Sequence, residues 1–129
     1  MDLPAGLLYT KEHEWVKLDG TSATVGITDY AQSSLGDIVY VEMPKAGAVV
    51  EQFKQMGVIE SVKAVSDIFA PLSGTIAAVN ADVENDPAKV NGDPYGTGWL
   101  VKITLSDASQ SKNLLDAAAY QKVVDAADH

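Results

Sequence analysis

Between Gly57 and Pro71 two apolar runs, Val58-Ile59 and Ile68-Phe69, flank a short polar segment that holds a single lysine, Lys63. The β-rich flanks and the small central residues predict two strands joined by a tight turn, with Lys63 at or near its tip. No other cation stands in the segment, and Glu60 and Asp67 lie to either side. A lysine carried on such a turn is easy for a modifying enzyme to reach. On spacing alone, the bland alternative is a solvated hairpin lysine.

The rest of the chain repeats the strand signal. Glu14 to Leu18 reads as a strand, Asp19-Gly20 as a hairpin turn, and Ala23, Val25 and Ile27 alternate with Ser22, Thr24 and Gly26. Thr28 or Asp29 is placed to cap a short helix through Leu35, which Gly36 ends. Ile38–Glu42, Val49-Val50, Met56–Ser61, Val65–Ala70 and Thr75–Val79 follow as strands, and Pro44 stops the first of these. From Asn80 to Gly98 the chain is polar and turn-rich, and Asp86-Pro87 reads as an N-cap with proline at the first helical position. Asn91-Gly92 is placed to end that one-turn helix. Trp99, Val101, Ile103 and Leu105 then alternate with Leu100, Lys102 and Thr104. Tyr120, Val123, Val124 and Ala127 fall on one face of a terminal helix. Many short strands with peripheral helices predict a small β-sandwich or flattened barrel.

At 129 residues and 47% apolar, the chain is expected to fold as one domain over residues 1–129. Aromatic residues are only 7%, so the core must rest on Val, Ile, Leu and Ala. The net charge is −9, and every basic residue is a lysine. Without arginine there is no bidentate grip on phosphate, and the acidic balance argues against nucleic acid and against a basic membrane-binding face. The absence of cysteine excludes disulfides, thiolate metal sites and cysteine nucleophiles. The first residues lack the basic and apolar regions of a signal or transit peptide. A cytoplasmic bacterial chain is expected, or a mature mitochondrial matrix chain if eukaryotic.

Catalytic signatures are missing. The histidines are His13 and His129, and there is no nucleophile elbow. Gly96-Thr97-Gly98 lacks the third glycine and the preceding strand of a dinucleotide fingerprint. Asp82, Glu84 and Asp86 superficially resemble a calcium loop, but Pro87 stands where that loop needs glycine. The cluster reads as a solvated loop with a helix cap.

Glu60-Ser61-Val62-Lys63-Ala64, with Ser66-Asp67 and Ala70-Pro71-Leu72-Ser73-Gly74, closely resembles the lipoylation site of glycine cleavage system H proteins. Further matches are Tyr9-Thr10-Lys11-Glu12-His13-Glu14-Trp15, Gly26-Ile27-Thr28-Asp29-Tyr30-Ala31-Gln32, Leu35-Gly36-Asp37-Ile38-Val39, Asp93-Pro94-Tyr95-Gly96 and Gly98-Trp99-Leu100. The resemblance runs in family order from about Tyr9 to Tyr120. It implies a mainly β barrel-sandwich hybrid of the lipoyl/biotinyl type, with short peripheral helices and a C-terminal helix. It also implies a non-catalytic carrier with lipoate held covalently on Lys63 in amide linkage, and a monomer is expected.

In the cycle that the resemblance implies, the P protein (glycine decarboxylase) loads an aminomethyl group on the arm. The T protein (aminomethyltransferase) takes it off, and the L protein (dihydrolipoyl dehydrogenase) reoxidises the dithiol. A lipoate ligase or a lipoyl/octanoyl transferase installs the arm. Glu60, Gly47 and Gly74 match positions implicated in recognition by the lipoylating enzyme, with solvation (Glu60) and turn geometry (the glycines) as plain alternatives. Glu12, Glu14, Ser34 and Asp67 match a cleft that shelters the loaded arm, where carboxylates suit a cationic nitrogen. Some members carry histidine where Ser34 stands, and Asp67 could equally be a turn residue. Trp15 is expected to pack; His13 stays unassigned. The segment Val50–Met56 lacks a glycine common in the family, which bears on that loop.

Other readings differ in class. A biotinyl domain would flank its lysine with Met, whereas Val62 and Ala64 stand here. Lipoyl domains of dehydrogenase complexes are usually parts of longer chains with Asp-Lys-Ala at the turn. An H-like protein for lipoate relay or redox signalling, and an unmodified β-rich interaction module, both stay open.

Overall fold

The structure, a computed structural model, describes residues 3–127. Among these residues nine strands form two antiparallel sheets. The larger has the order β1-β2-β3-β9-β8-β5 and the smaller β4-β6-β7. The strands are β1 (Leu8–Tyr9), β2 (Glu14–Asp19), β3 (Ser22–Ile27), β4 (Ile38–Glu42), β5 (Val49–Val50), β6 (Gln55–Ser61), β7 (Val65–Phe69), β8 (Gly74–Val79) and β9 (Val101–Leu105). The helices are α1 (Asp29–Leu35), α2 (Ala81–Asn85), α3 (Ala88–Gly92) and α4 (Ala117–Ala127), with a 3-10 turn at Ala108–Asn113. This is the two-sheet, mainly β architecture that the alternation predicts, and neither sheet closes on itself. Among the described residues no helix is long and apolar enough to cross a membrane.

Local chemistry accounts for most boundaries. Gly20 takes φ 61 in a two-residue loop, with Asp19 paired to Ser22, and Ala23, Val25 and Ile27 point inward from β3. Thr28 caps α1 by accepting the Ala31 N–H, and Gly36 ends it at φ 81, a conformation that L side chains rarely adopt. The aliphatic core forms two clusters. Val16, Val25, Leu72, Ile76 and Ile103 anchor one between the strands of the large sheet and its flank. Ile27, Ile38, Ile59, Ile68, Val90 and Leu100 form the other beneath the small sheet. Met43 and Met56 pack against both, as flexible thioethers suit a junction.

Tyr9, Trp15, Tyr30, Tyr95, Trp99 and Tyr120 gather in a third cluster that holds the terminal helix. Tyr120 stacks on Tyr9 at 4.9 Å and 13°, and Val124 packs beside it. The inward face of α4 is narrower than the spacing predicts, because Val123 is half-buried and Ala127 exposed. Trp15 faces Gly26 across β2–β3, where a Cβ would stand 2.6 Å from the indole. Its Nε1 donates to Pro94 O at 2.9 Å, so Trp15 does pack.

Three features depart from the sequence expectations. Residues 80–98 hold two short helices, and the first, α2, is capped by Asn80, whose side chain accepts from Asp82 N. Asp82 and Glu84 lie in that helix and not in a loop. Asp86 does not cap α3 with its carboxylate: Pro87 occupies the cap position without a side-chain bond, and Asp86 accepts the Lys89 N–H through its backbone carbonyl. The loop without glycine at 50–56 keeps a glycine-like geometry. Phe53 takes φ 65 there, at a cost of about 1 kcal/mol, and is held by Phe53 N–H donating to Ala70 O at 2.6 Å.

Gly74 starts β8 opposite Leu105, so close to β9 that an added Cβ would run into the Thr104 carbonyl oxygen and lie 2.8 Å from Ile103 Cγ2. Gly74→Ala should therefore destabilise the fold by about 1–3 kcal/mol. Urea unfolding checks this, and an unchanged midpoint would show that the strands separate freely.

Candidate functional site

The β6–β7 hairpin ends in a turn, Ser61 to Ala64, whose four backbone N–H groups are all engaged. Ser61 N–H donates to Ala64 O at 2.8 Å. The Ser61 hydroxyl oxygen accepts the Lys63 and Ala64 N–H groups at 3.3 and 3.1 Å. Val62 N–H donates to Asp37 O at 3.0 Å. With these donors engaged, the tip is a fixed platform from which the Lys63 side chain projects into solvent. Val62 and Val65 beside it are 70% and 66% exposed.

The lysine stem lies over the C-terminal end of α1, with Lys63 Cε 3.6 Å from where a Cβ on Gly36 would stand. The Asn91 side chain fixes that end. Its Nδ2 donates to Gly36 O at 2.8 Å and to Gln32 Oε1 at 3.1 Å, and its Oδ1 accepts the Ile38 N–H at 2.9 Å.

Next to this contact a cleft of about 190 Å³ opens between α1 and β7. Ile27, Ile59 and Ile68 make its floor, and Glu12, His13, Tyr30, Ser34 and Asp67 its walls and rim. Three of the four residues expected in a sheltering cleft, Glu12, Ser34 and Asp67, thus lie together. The carboxylates of Glu12 and Asp67 make no hydrogen bond among the described residues.

Glu14 does not line this cleft. It is 1% exposed, and its carboxylate accepts the Thr10 hydroxyl at 2.6 Å and the Phe69 N–H at 3.3 Å. Thr10 and Phe69 face a second hollow of about 320 Å³ with Lys11, Phe53 and Leu115, and Glu12 borders both spaces. Burial pushes the Glu14 carboxyl up from 4.5 to about 7, against the lowering by the Thr10 and Phe69 bonds.

The other sequence candidates lie apart from the cleft. Glu60 is half-buried on β6, in one cross-strand row with Tyr40 and Val65. Gly47 sits at φ 92 in the β4–β5 turn and donates its N–H to Ile76 O at 2.7 Å. Both glycines, 47 and 74, therefore have backbone reasons for their identity.

The glycine cleavage H-protein family profile matches residues 7–127. This chain belongs to that family. The H protein of Acidobacterium capsulatum is 56% identical over 124 residues, covering 96% of this chain and 95% of that protein. The H protein of Myxococcus xanthus is 54% identical over 119 residues, covering 92% of each. The crystal structure of a glycine cleavage system H protein from Mycobacterium marinum matches with a TM-score of 0.86 at 38% identity, covering 93% of this chain and 97% of that one. Membership gives the chain the role of lipoyl carrier in the glycine cleavage system.

Within this H-protein frame, sequence reading missed the groups that hold the tip. Ser61, two residues before Lys63, carried a readable signal, since a serine at that spacing can bond the turn's own N–H groups. Asn91 carried none: its partners lie 53 to 59 residues away.

The Glu14 shift has a definite sign. The folded protein holds this proton more tightly than the unfolded chain, so its contribution is complete below about pH 4.5 and lost as pH rises through about 7. Relative to Glu14→Gln, the unmodified sequence should lose up to about 3 kcal/mol across that window. Thermal unfolding at a series of pH values reads it, and parallel curves for the two proteins would contradict the buried titration.

Proposed function

We propose that Lys63 Nζ is the attachment point of lipoate, in amide linkage, and that residues 1–129 act as one carrier unit. The observation that carries this reading is the placement of one exposed ammonium on a tied hairpin tip, beside a cleft with an apolar floor and a carboxylate rim. Such surroundings fit an apolar arm that carries a cationic load. Bound lipoate supplies the dithiolane that takes up the one-carbon amine and the electrons.

The chain's own residues supply position and shelter. The Ser61 turn fixes the root of the arm, and Gly36 leaves its stem a smooth path along α1 toward Ser34. Ile27, Ile59 and Ile68 exclude water from one side of the cleft. Glu12 and Asp67 accept hydrogen bonds from a cationic amine, and Ser34 adds a hydroxyl at the rim. Glu14 acts one layer behind, holding Thr10 and the Phe69 backbone at the second hollow.

Glu60 is the candidate contact for the lipoylating enzyme, because it shares the exposed face of the small sheet with Tyr40 and Val65. Gly47 and Gly74 serve that recognition through the backbone they permit. The partners in this reading are the P, T and L proteins and a lipoate ligase or lipoyl/octanoyl transferase. The setting is the bacterial cytoplasm, in keeping with the bacterial relatives.

Intact mass with tryptic mapping, on protein from cells supplied with lipoate, tests the attachment. One lipoyl adduct on Lys63 is expected, and none in Lys63→Arg, with unfolding unchanged because the side chain is exposed. No adduct in the presence of a competent ligase would overturn the reading.

A further inference from the structure

His13 lines the cleft yet takes no part in the reading above. Its ring belongs to a chain of three groups, from the loop before β2, the cap of α1 and helix α4. Thr28 Oγ1 lies 2.7 Å from Tyr120 Oη, and Tyr120 Oη lies 2.8 Å from His13 Nδ1. The α4 helix is thereby joined to the cap of α1 and to the cleft wall.

The direction of the chain follows from the hydrogens. Thr28 is wholly buried, and its oxygen already accepts the Ala31 N–H at 3.2 Å. The hydroxyl hydrogen still needs an acceptor, and among the described residues Tyr120 Oη is the one within reach. A buried donor left without an acceptor is costly, so Thr28 O–H donates to Tyr120. Tyr120 then has one hydrogen to give, and His13 Nδ1 stands at the other end. Burial holds the Tyr120 hydroxyl up at about 12, so it keeps that hydrogen.

A neutral imidazole that accepts at Nδ1 carries its proton on Nε2. Burial lowers the His13 pKa, against the raising effect of Glu12, which favours the neutral ring. The ring also meets Tyr30 of α1 at 4.9 Å, and Asp67 of β7 lines the same cleft. Nε2 makes no hydrogen bond among the described residues. The imidazole therefore offers the cleft a donor and not a base.

We infer that Tyr120 is a positioning residue: by holding His13 as the Nε2–H tautomer, it keeps the cleft free of an unprotonated imidazole nitrogen that could take a proton from a cationic amine. The inference rests on the reading that the cleft receives the arm's cationic load. In that setting the carboxylates of Glu12 and Asp67 hold the amine while His13 leaves its proton in place.

Long-range proton–nitrogen correlation spectra of the unmodified protein, labelled with 15N-histidine, read the tautomer directly. The Nε2–H form is expected for His13, and in Tyr120→Phe the preference for it should fall about three- to tenfold, the weight of one hydrogen bond. The phenylalanine ring keeps the stack on Tyr9, and thermal unfolding checks that the variant folds. In the lipoylated protein loaded with the one-carbon amine and kept from its partners, Tyr120→Phe should lose the load faster by a similar factor: once the ammonium proton is taken, the nitrogen lone pair expels the sulfur as thiolate, the C–S bond breaks, and water takes up the carbon, so that formaldehyde, ammonia and the free thiol are formed. An Nδ1–H ring in the unmodified sequence, a tautomer unmoved by Tyr120→Phe, or unchanged release would each overturn the inference. Because the tautomer is read without lipoate, a failure to find the adduct on Lys63 strikes the proposed attachment and not the state of the ring.

Discussion

One amide side chain fixes the segment on which the hairpin tip rests. Asn91 gives both hydrogens of Nδ2 and one lone pair of Oδ1 to the stretch from Gln32 to Ile38. That stretch contains the two atoms the tip depends on: the Gly36 backbone under the Lys63 stem, and the Asp37 carbonyl that accepts from Val62. Asn91 can do this because Val90, its neighbour, is wholly buried in the lower core and pins α3. Gly98 then lets the following loop close onto α3, since a Cβ there would stand 2.7 Å from Lys89 O and Asp93 O. Packing of one valine thus fixes an amide, the amide fixes a helix end, and the helix end fixes the platform of the lysine.

The charge pattern around that platform is one-sided. On the outer face of the small sheet, one row holds Tyr40, Glu60 and Val65, and the next holds Glu42, Val58 and Asp67. None of these is a cation. Amide formation at Lys63 would remove the ammonium beside them and leave a surface of exposed valines and carboxylates. Any enzyme that closes over such a face must offer apolar contact and its own positive charge, and the absence of arginine in this chain makes the complementarity one-way.

The strands were legible because alternation reports a half-buried surface directly, as Ala23, Val25 and Ile27 show. Helix α1 was legible because Thr28 and Gly36 act on their own neighbours. What escaped depended on distant partners. Strand β1 is two residues long and exists through pairing with β2 and a bridge from Tyr9 to Leu115. Five residues are too few for α2 to show a period. The positions of Glu12, Ser34 and Asp67 in one cleft followed from family order, since no local rule joins residues from a loop, α1 and β7. Glu14 looked like their companion in sequence, yet alternation along β2 turns it inward, toward Thr10 and Phe69.

That inward turn solves a problem of the sheet. Among the described residues strand β7 pairs with β6 alone, so its outer edge carries backbone groups open to pairing with another chain. Glu14 covers one end of this edge by accepting the Phe69 N–H, and the cleft occupies the stretch from Ser66 to Ile68. Burying a carboxyl there raises its pKa, so stability is spent to close the edge. What remains open lies between the lysine tip and Glu14. The cleft therefore lies between α1 and the part of the edge strand that this carboxyl leaves uncovered.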